Sequence, residues 1–119
     1  MTEAVTIDDY RFGRMTIGGK RYTSDLILQA DGRVHAHWRR ARGHRLAPSD
    51  IAEVLEAEPE RLIIGTGAFG VMKVSDEVVQ ACRERGIALT ACRTGEAVAR
   101  YNEAVRAGRA VTACFHLTC

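Results

Sequence analysis

A chain of 119 residues is one domain's worth of polypeptide, long enough to bury roughly two thirds of the surface its unfolded form exposes. Apolar residues make up 46% and charged residues 27%, which excludes the low-hydrophobicity, high-charge composition of disordered chains. With 17 basic against 15 acidic residues the charge is too balanced to point to nucleic acid, and no apolar run approaches the length needed for membrane insertion.

Met1 to Tyr10 is polar with isolated apolar residues and predicts an irregular lead-in. It has no basic head followed by an apolar stretch, so no signal peptide is expected. The cysteines Cys82, Cys92, Cys114 and Cys119 contain no Cys-x-x-Cys pair and are read as free thiols of a cytoplasmic protein. Arg14 to Ile17 alternates polar and apolar, and Gly18-Gly19 then leads into Arg21-Tyr22-Thr23, the pattern of a β-hairpin with a primed turn. Asp25 to Leu28 continues as a strand, Asp31-Gly32 marks a turn, and Val34 to Trp38 alternates again. The first forty residues therefore read as an antiparallel meander.

Arg39 to Ala47 is charged and aperiodic, so it predicts a loop with solvated arginines. Pro48 and Ser49 open a short helix, capped by Ser49 or Asp50, with Ile51, Val54 and Leu55 on one face and Pro59 closing it. Leu62-Ile63-Ile64 is a continuous apolar run of the kind found in strands covered on both faces. Val71 to Val74 predicts a brief strand. Ser75 caps a helix to Arg85 with Val78, Val79 and Cys82 inward, and Gly86 ends it. Ile87 to Ala91 is the next strand, Thr94 the next cap, and Ala97, Val98, Tyr101 and Val105 trace one face of a helix closed by Gly108. Ala110 to Phe115 is the last strand. The expected architecture is one compact α/β domain over residues 1–119, with a mixed β-sheet, an N-terminal antiparallel hairpin and meander, and about three helices.

Gly65-Thr66-Gly67-Ala68-Phe69-Gly70 has the Gly-x-Gly-x-x-Gly spacing that lets backbone amides approach a pyrophosphate. Its context is wrong for a dinucleotide: the following helix starts after Val74, and Ala91-Cys92-Arg93 stands where an acidic residue belongs. A tight turn is the plain reading, and a small anion held by loop amides and Thr66 is the functional one. Cys114 and His116 share a strand face beside Cys119, but a zinc site wants four ligands and no third orienting group accompanies a nucleophile, so no metal and no cofactor are expected. The pair His35 and His37 likewise lacks a third ligand. Trp38 beside Arg39 and Arg40 is a candidate interaction surface, with a half-buried structural tryptophan as its alternative.

Ile64-Gly65-Thr66-Gly67, then Thr94-Gly95-Glu96-Ala97 with Tyr101-Asn102, then His116-Leu117-Thr118-Cys119, together resemble the Mth domain family, or domain of unknown function four-nine-eight. That family includes an adipogenesis-associated protein and a mitochondrial complex I assembly factor. Phe12-Gly13, the Asp25 strand, Trp38 and the His44 segment fit the same pattern, so the resemblance covers nearly the whole chain. It implies a compact α/β domain with a mixed sheet, no agreed enzymatic activity, and members that act through assembly or signalling. The matching positions are Gly65, Thr66, Gly67, Thr94, Asn102, His116 and Cys119, and the resemblance makes none of them catalytic. With no mitochondrial targeting extension visible, a bacterial or cytosolic member is expected rather than an assembly role in respiratory complexes.

Two functions follow as expectations. The first is a non-enzymatic accessory or assembly module with a protein partner, meeting it around Trp38, Arg39 and Arg40. The second is a protein, enzymatic or not, that binds a small anionic compound with the Gly65–Gly70 loop, Thr94, Asn102 and His116. Neither uses a nicotinamide cofactor. Titration with NAD is expected to show no saturable binding, and tight binding would restore the glycine motif to its dinucleotide meaning.

Overall fold

The computed structural model describes residues 5–119 of the chain, which opens with three antiparallel strands: β1 (Ile7–Arg11), β2 (Arg14–Ile17) and β3 (Lys20–Tyr22). Gly18 and Gly19 join β2 to β3 with φ of +56° and +80°, the left-handed pair that a primed turn requires. β1 corrects the expected irregular lead-in, whose residues 1–4 lie outside the described ones. Its support comes from far along the chain. The Ile7 amide donates to Asn102 Oδ1 at 2.7 Å, and Asn102 Nδ2 donates back to the Ile7 carbonyl at 2.9 Å.

β4 (Leu26–Leu28) and β5 (Val34–Ala36) form a second hairpin, turned at Asp31-Gly32. The expected continuous meander is broken here, because β4 leaves β3 and pairs with the last strand of the chain instead. The segment after Trp38 is also more ordered than its charge suggests. β6 (Arg45–Leu46) runs parallel to β8 (Lys73–Val74). A 3-10 turn at Pro48–Ile51 leads into α1 (Ala52–Ala57); Ala47, not Ser49 or Asp50, holds the N-cap position, and Asp50 reaches back from the third position of the turn, its Oδ2 accepting from the Ala47 amide at 2.8 Å.

β7 (Arg61–Thr66), α2 (Asp76–Glu84), β9 (Ala88–Cys92), α3 (Thr94–Arg106) and β10 (Val111–His116) complete the α/β half. Ser75 caps α2, its Oγ accepting from the Val78 amide. Val78 and Cys82 face inward as expected, but Val79 is 37% exposed, since it falls about a third of a turn off that stripe. Thr94 is not the cap of α3. Arg93 occupies that position, and Thr94 turns its hydroxyl toward the neighbouring strand ends.

The main sheet runs β5-β4-β10-β7-β9, with β10 antiparallel to β4 and parallel to β7, and β7 parallel to β9. Every residue of β10 is buried because both faces are covered. On one face Ile27, Leu62, Ile64 and Cys114 pack with Val54 and Leu55 of α1 and Val78 and Cys82 of α2. On the other, Leu26, Ile63, Ala113 and Phe115 pack with Ala97 and Tyr101 of α3 and with Ile7, Met15 and Ile17 of the three-stranded sheet. The apolar triplet Leu62-Ile63-Ile64 is thus divided between two cores.

Asn102 is what fastens the three-stranded sheet to α3 by hydrogen bonds. Asn102→Ala is expected to leave both polar groups of Ile7 unpaired and to lower unfolding stability by about 2–4 kcal/mol in urea titrations, without changing the sheet order.

Candidate functional site

The parallel strands β7, β9 and β10 end together, and ligands in open α/β sheets bind beyond such carboxyl ends. Here the chain itself fills much of that place. Gly67, with φ of +108°, lies so close to the tail that an added Cβ would stand 2.5 Å from the Thr118 carbonyl oxygen. The loop amides are already committed: Gly67 donates to Thr94 Oγ1 at 2.9 Å, Ala68 to the Thr118 carbonyl, Gly70 to the Gly67 carbonyl and Val71 to the Cys119 carbonyl, each at 3.2 Å. An anion at this loop would have to displace those partners. Thr66 donates to the Cys92 carbonyl, and Thr94 donates to the His116 carbonyl at 2.6 Å, so both hydroxyls tie strand ends together.

Of the residues singled out in the sequence, Gly65, Thr66, Gly67, Thr94 and His116 therefore converge, and Asn102 does not. It is spent on Ile7, at the junction with the three-stranded sheet. Trp38 and Arg40 also turn inward. Trp38 is 5% exposed, with its indole nitrogen donating to the Asp50 carbonyl at 3.0 Å, and the Arg40 guanidinium lies 4.7 Å above its ring. Only Arg39 of that trio stays at the surface. His35 and His37 do not share a strand face, because His37 has φ of +59° just past β5.

What drew Arg40 inward is Asp25, a residue that local pattern marks only as the start of a strand. Its Oδ2 lies 2.8 Å from Arg40 Nη2 and 2.7 Å from His116 Nδ1, and its Oδ1 accepts from the Leu117 amide at 2.8 Å. Burial pushes this carboxyl up, but the hydrogen bonds from His116, Leu117 and Arg40 together outweigh it and hold the group below the usual carboxylate range. Nδ1 faces the Asp25 carboxylate, an acceptor, with Arg40 Nη2 also 3.2 Å away, so in a neutral His116 ring the carboxylate favours the hydrogen on Nδ1 and the lone pair on Nε2. That nitrogen is buried and among the described residues has no hydrogen-bond partner. His44 and Cys119 approach the His116 ring: one ligand-type atom from each of His44, His116 and Cys119 lies within 4.8 Å of the others. Sequence proximity pairs His116 with Cys114, but Cys114 sits fully inside the core, where burial pushes its thiol up to about 12. His44 is 72 positions from His116 and carries no local signal.

The fold and this corner define a class: an α/β domain whose five-stranded mixed sheet is covered on both faces, with a part-buried Asp–His–Arg junction where its strands end. The chain belongs to the family described as "Protein of unknown function (DUF498/DUF598)", which matches residues 7–116. It is similar to the solved structure MT938, at 33% identity and a TM-score of 0.82, over 98% of this chain and all of that one (100%). A conserved hypothetical protein from Pyrococcus horikoshii OT3 superposes with a TM-score of 0.80 at 24% identity, covering 96% of this chain and 99% of that one. A Mth938-like domain from Bordetella pertussis does so with a TM-score of 0.69 at 22% identity, covering 95% and 85%. The last two show the shared fold alone. The family expected from the glycine loop, the Thr94 segment and the terminal His116 to Cys119 is thereby established, and with it an α/β domain whose biochemical role is open.

Asp25 generates a stability test with a definite sign. Its folded carboxyl binds protons more weakly than the unfolded one, so its contribution is complete above the unfolded value of about 3.9 and is lost as pH falls through the folded value. Asp25→Asn, which leaves the buried Arg40 unpaired, is expected to cost about 3–5 kcal/mol at neutral pH and to flatten the acid limb of the stability curve. Chemical denaturation at a series of pH values checks both.

Proposed function

We propose that the protein is a non-enzymatic accessory module that holds an apolar, acidic segment of a partner protein. The observation that carries this reading is a groove of about 610 Å³ at the β5 edge of the main sheet, between the sheet and α1. Ile27, Trp38 and Val54 line it as an apolar floor; His35, Arg39 and Arg33, the last paired with Asp31, line its β5 side, and Asp50 and Glu53 its α1 side. A buried aromatic floor with a charged rim is the usual anatomy of a protein-binding surface. Arg39 makes no salt bridge among the described residues, and is thus available to a partner's carboxylate. β5 is also an edge strand whose outer backbone groups are open to pairing by an extended segment.

The surface proposed here keeps Trp38 and Arg39 from the sequence reading but moves Arg40 from the interface to the supporting structure. The anion-binding alternative, with the Gly65–Gly70 loop, Thr94, Asn102 and His116, is weaker for a physical reason: most of its amide donors already serve the chain's own carbonyls and hydroxyls, and Asn102 lies elsewhere. Phe12 and Phe69 form a separate exposed pair with ring centroids 6.0 Å apart, an apolar patch that tests the location of any interface.

Affinity capture from the native host, with wild type beside a His35→Glu/Arg39→Glu double variant, is expected to lose the partner by at least about tenfold through like-charge repulsion. Both sites are exposed, so the fold is retained, which circular dichroism checks. Unchanged recovery from the double variant overturns the groove. Loss only from Phe12→Ser/Phe69→Ser would move the interface to the aromatic pair.

A further inference from the structure

We propose that His44, His116 and Cys119 form a metal site for Zn²⁺, oriented by Asp25. The site is independent of the groove, and stands whether or not a partner binds there. Two imidazoles and a thiol are the ligand types zinc prefers, and three protein ligands leave one coordination position open. The three come from distant parts of the chain, so their meeting is a property of the fold: His44 precedes β6, His116 ends β10, and Cys119 lies in the tail.

Each ligand is held by its backbone before any ion arrives. The His44 carbonyl accepts from the Lys73 amide at 2.8 Å, the His116 carbonyl from the Thr94 hydroxyl, and the Cys119 carbonyl from the Val71 amide at 3.2 Å. The His44 and His116 rings stand edge to face, with centroids 5.8 Å apart. Zinc bonds of about 2.0–2.3 Å place tetrahedral ligand atoms roughly 3.3–3.8 Å from one another. The present atoms lie within 4.8 Å of one another, so binding draws them together by about an ångström, and His44 is the exposed residue of the three.

The independent sign of a ligand is His116 Nε2. This nitrogen is buried, in a residue only 5% exposed, and among the described residues it has no partner. An orphaned buried polar atom is costly and rare in a native core, and calls for a water, an ion or a chemical role. Asp25 on Nδ1 at 2.7 Å adds the second half of the pattern, since metal-bound histidines characteristically donate their other nitrogen to a carboxylate that sets the tautomer and the ring angle. The same Asp25–His116–Cys119 order suits a nucleophilic thiol, but that chemistry needs a substrate cavity at the sulfur. Neither the groove at Trp38 nor the cavity lined by Arg61 and Arg109 includes any of the three ligands.

Binding releases the Cys119 thiol proton to solvent and forms one Zn–S and two Zn–N bonds, with no change of oxidation state. The probe is Co²⁺, added to the reduced, metal-free full chain and then displaced by Zn²⁺. One equivalent is expected to bind, with a thiolate-to-cobalt charge-transfer band in the near ultraviolet and the strong visible bands of a four-coordinate ion. His44→Ala and Cys119→Ser lie at exposed and half-buried positions and leave the apo fold unaltered by circular dichroism. Each is expected to weaken affinity at least about 100-fold, and Cys119→Ser to abolish the charge-transfer band. Asp25→Asn, compared only under conditions where circular dichroism shows it folded because it also loses the Arg40 and Leu117 contacts, is expected to weaken affinity by about 10–100-fold while keeping the band. Absence of the thiolate band in wild type, or affinities unchanged in both His44→Ala and Cys119→Ser, overturns the site.

Discussion

The structure depends on one part-buried carboxylate. Asp25 stands at the start of β4, yet its contacts reach the loop that carries Arg40, the end of β10 and the first residue of the tail. The energetics explain why such a junction organises its surroundings. A carboxylate and a guanidinium lose several kcal/mol of hydration each on burial, and their attraction repays this only where the remaining lone pairs and protons are satisfied. Arg40 has its Nε on the Gly43 carbonyl at 2.9 Å and its flat face on Trp38, whose own amide donates to the Asp25 carbonyl at 2.9 Å. Each component of the corner therefore holds another in place, while Arg40 Nη1 is buried without a partner among the described residues.

That junction sits where it does because of β10. A strand buried on both faces is mostly apolar: Val111, Ala113 and Phe115 serve one core as Cys114 serves the other, with Thr112 a buried polar exception. Its final residue, His116, offers a polar side chain to the converging elements around Asp25 and Arg40. Thr94 at the start of α3 fixes the His116 carbonyl and the Gly67 amide together, so helix α3, strand β10 and the glycine loop share one hydroxyl. The same loop then meets the tail through Ala68 and Val71. Rigidity at this end of the sheet is thus built from side-chain and backbone bonds between elements, whereas the two cores on its faces are held by apolar contact.

This division accounts for what the sequence discloses. Local geometry leaves local signatures: the Gly18-Gly19 hairpin, the Ser75 cap, the left-handed Gly86 and Gly108, and the apolar run of β7 all read correctly, because each is decided within a few residues. The failures share a cause as well. β1 is secured by Asn102 at a separation of 95 residues, and Asp25 finds His116 across 91. Arg39 to Ala47 looked solvated because five arginines crowd the region from Arg33 to Arg45, and nothing in that stretch says which one has a buried acid waiting for it. Thr94 was legible as an important hydroxyl but assigned to its own helix, when its bonds run to two other elements. The candidate site was visible in the sequence as a set of residue types, and only long-range pairing decided which of them meet.

The glycine loop is the sharpest case of that distinction. A run of exposed amides at a strand end is a good anion cradle only while those amides are free. Here the tail supplies the negative ends of the dipoles from its own carbonyls, so the backbone has already performed, inside the fold, the hydrogen bonding that a ligand would otherwise provide. The glycines are still required, at Gly67 because the tail passes within contact of its Cα, and at Gly65 because a Cβ would stand 2.8 Å from the Thr94 hydroxyl. Their role is to admit the tail and Thr94. What remains to the strand ends is side-chain chemistry, and it is unevenly satisfied: Asp25 is fully engaged, Thr94 donates and accepts, and among the described residues Arg40 has no partner at Nη1 and His116 has one nitrogen committed and one without a partner. Placing a polar atom in that position costs free energy that a leucine of similar size would not, so the asymmetry of His116 is the feature of this corner that packing alone does not account for.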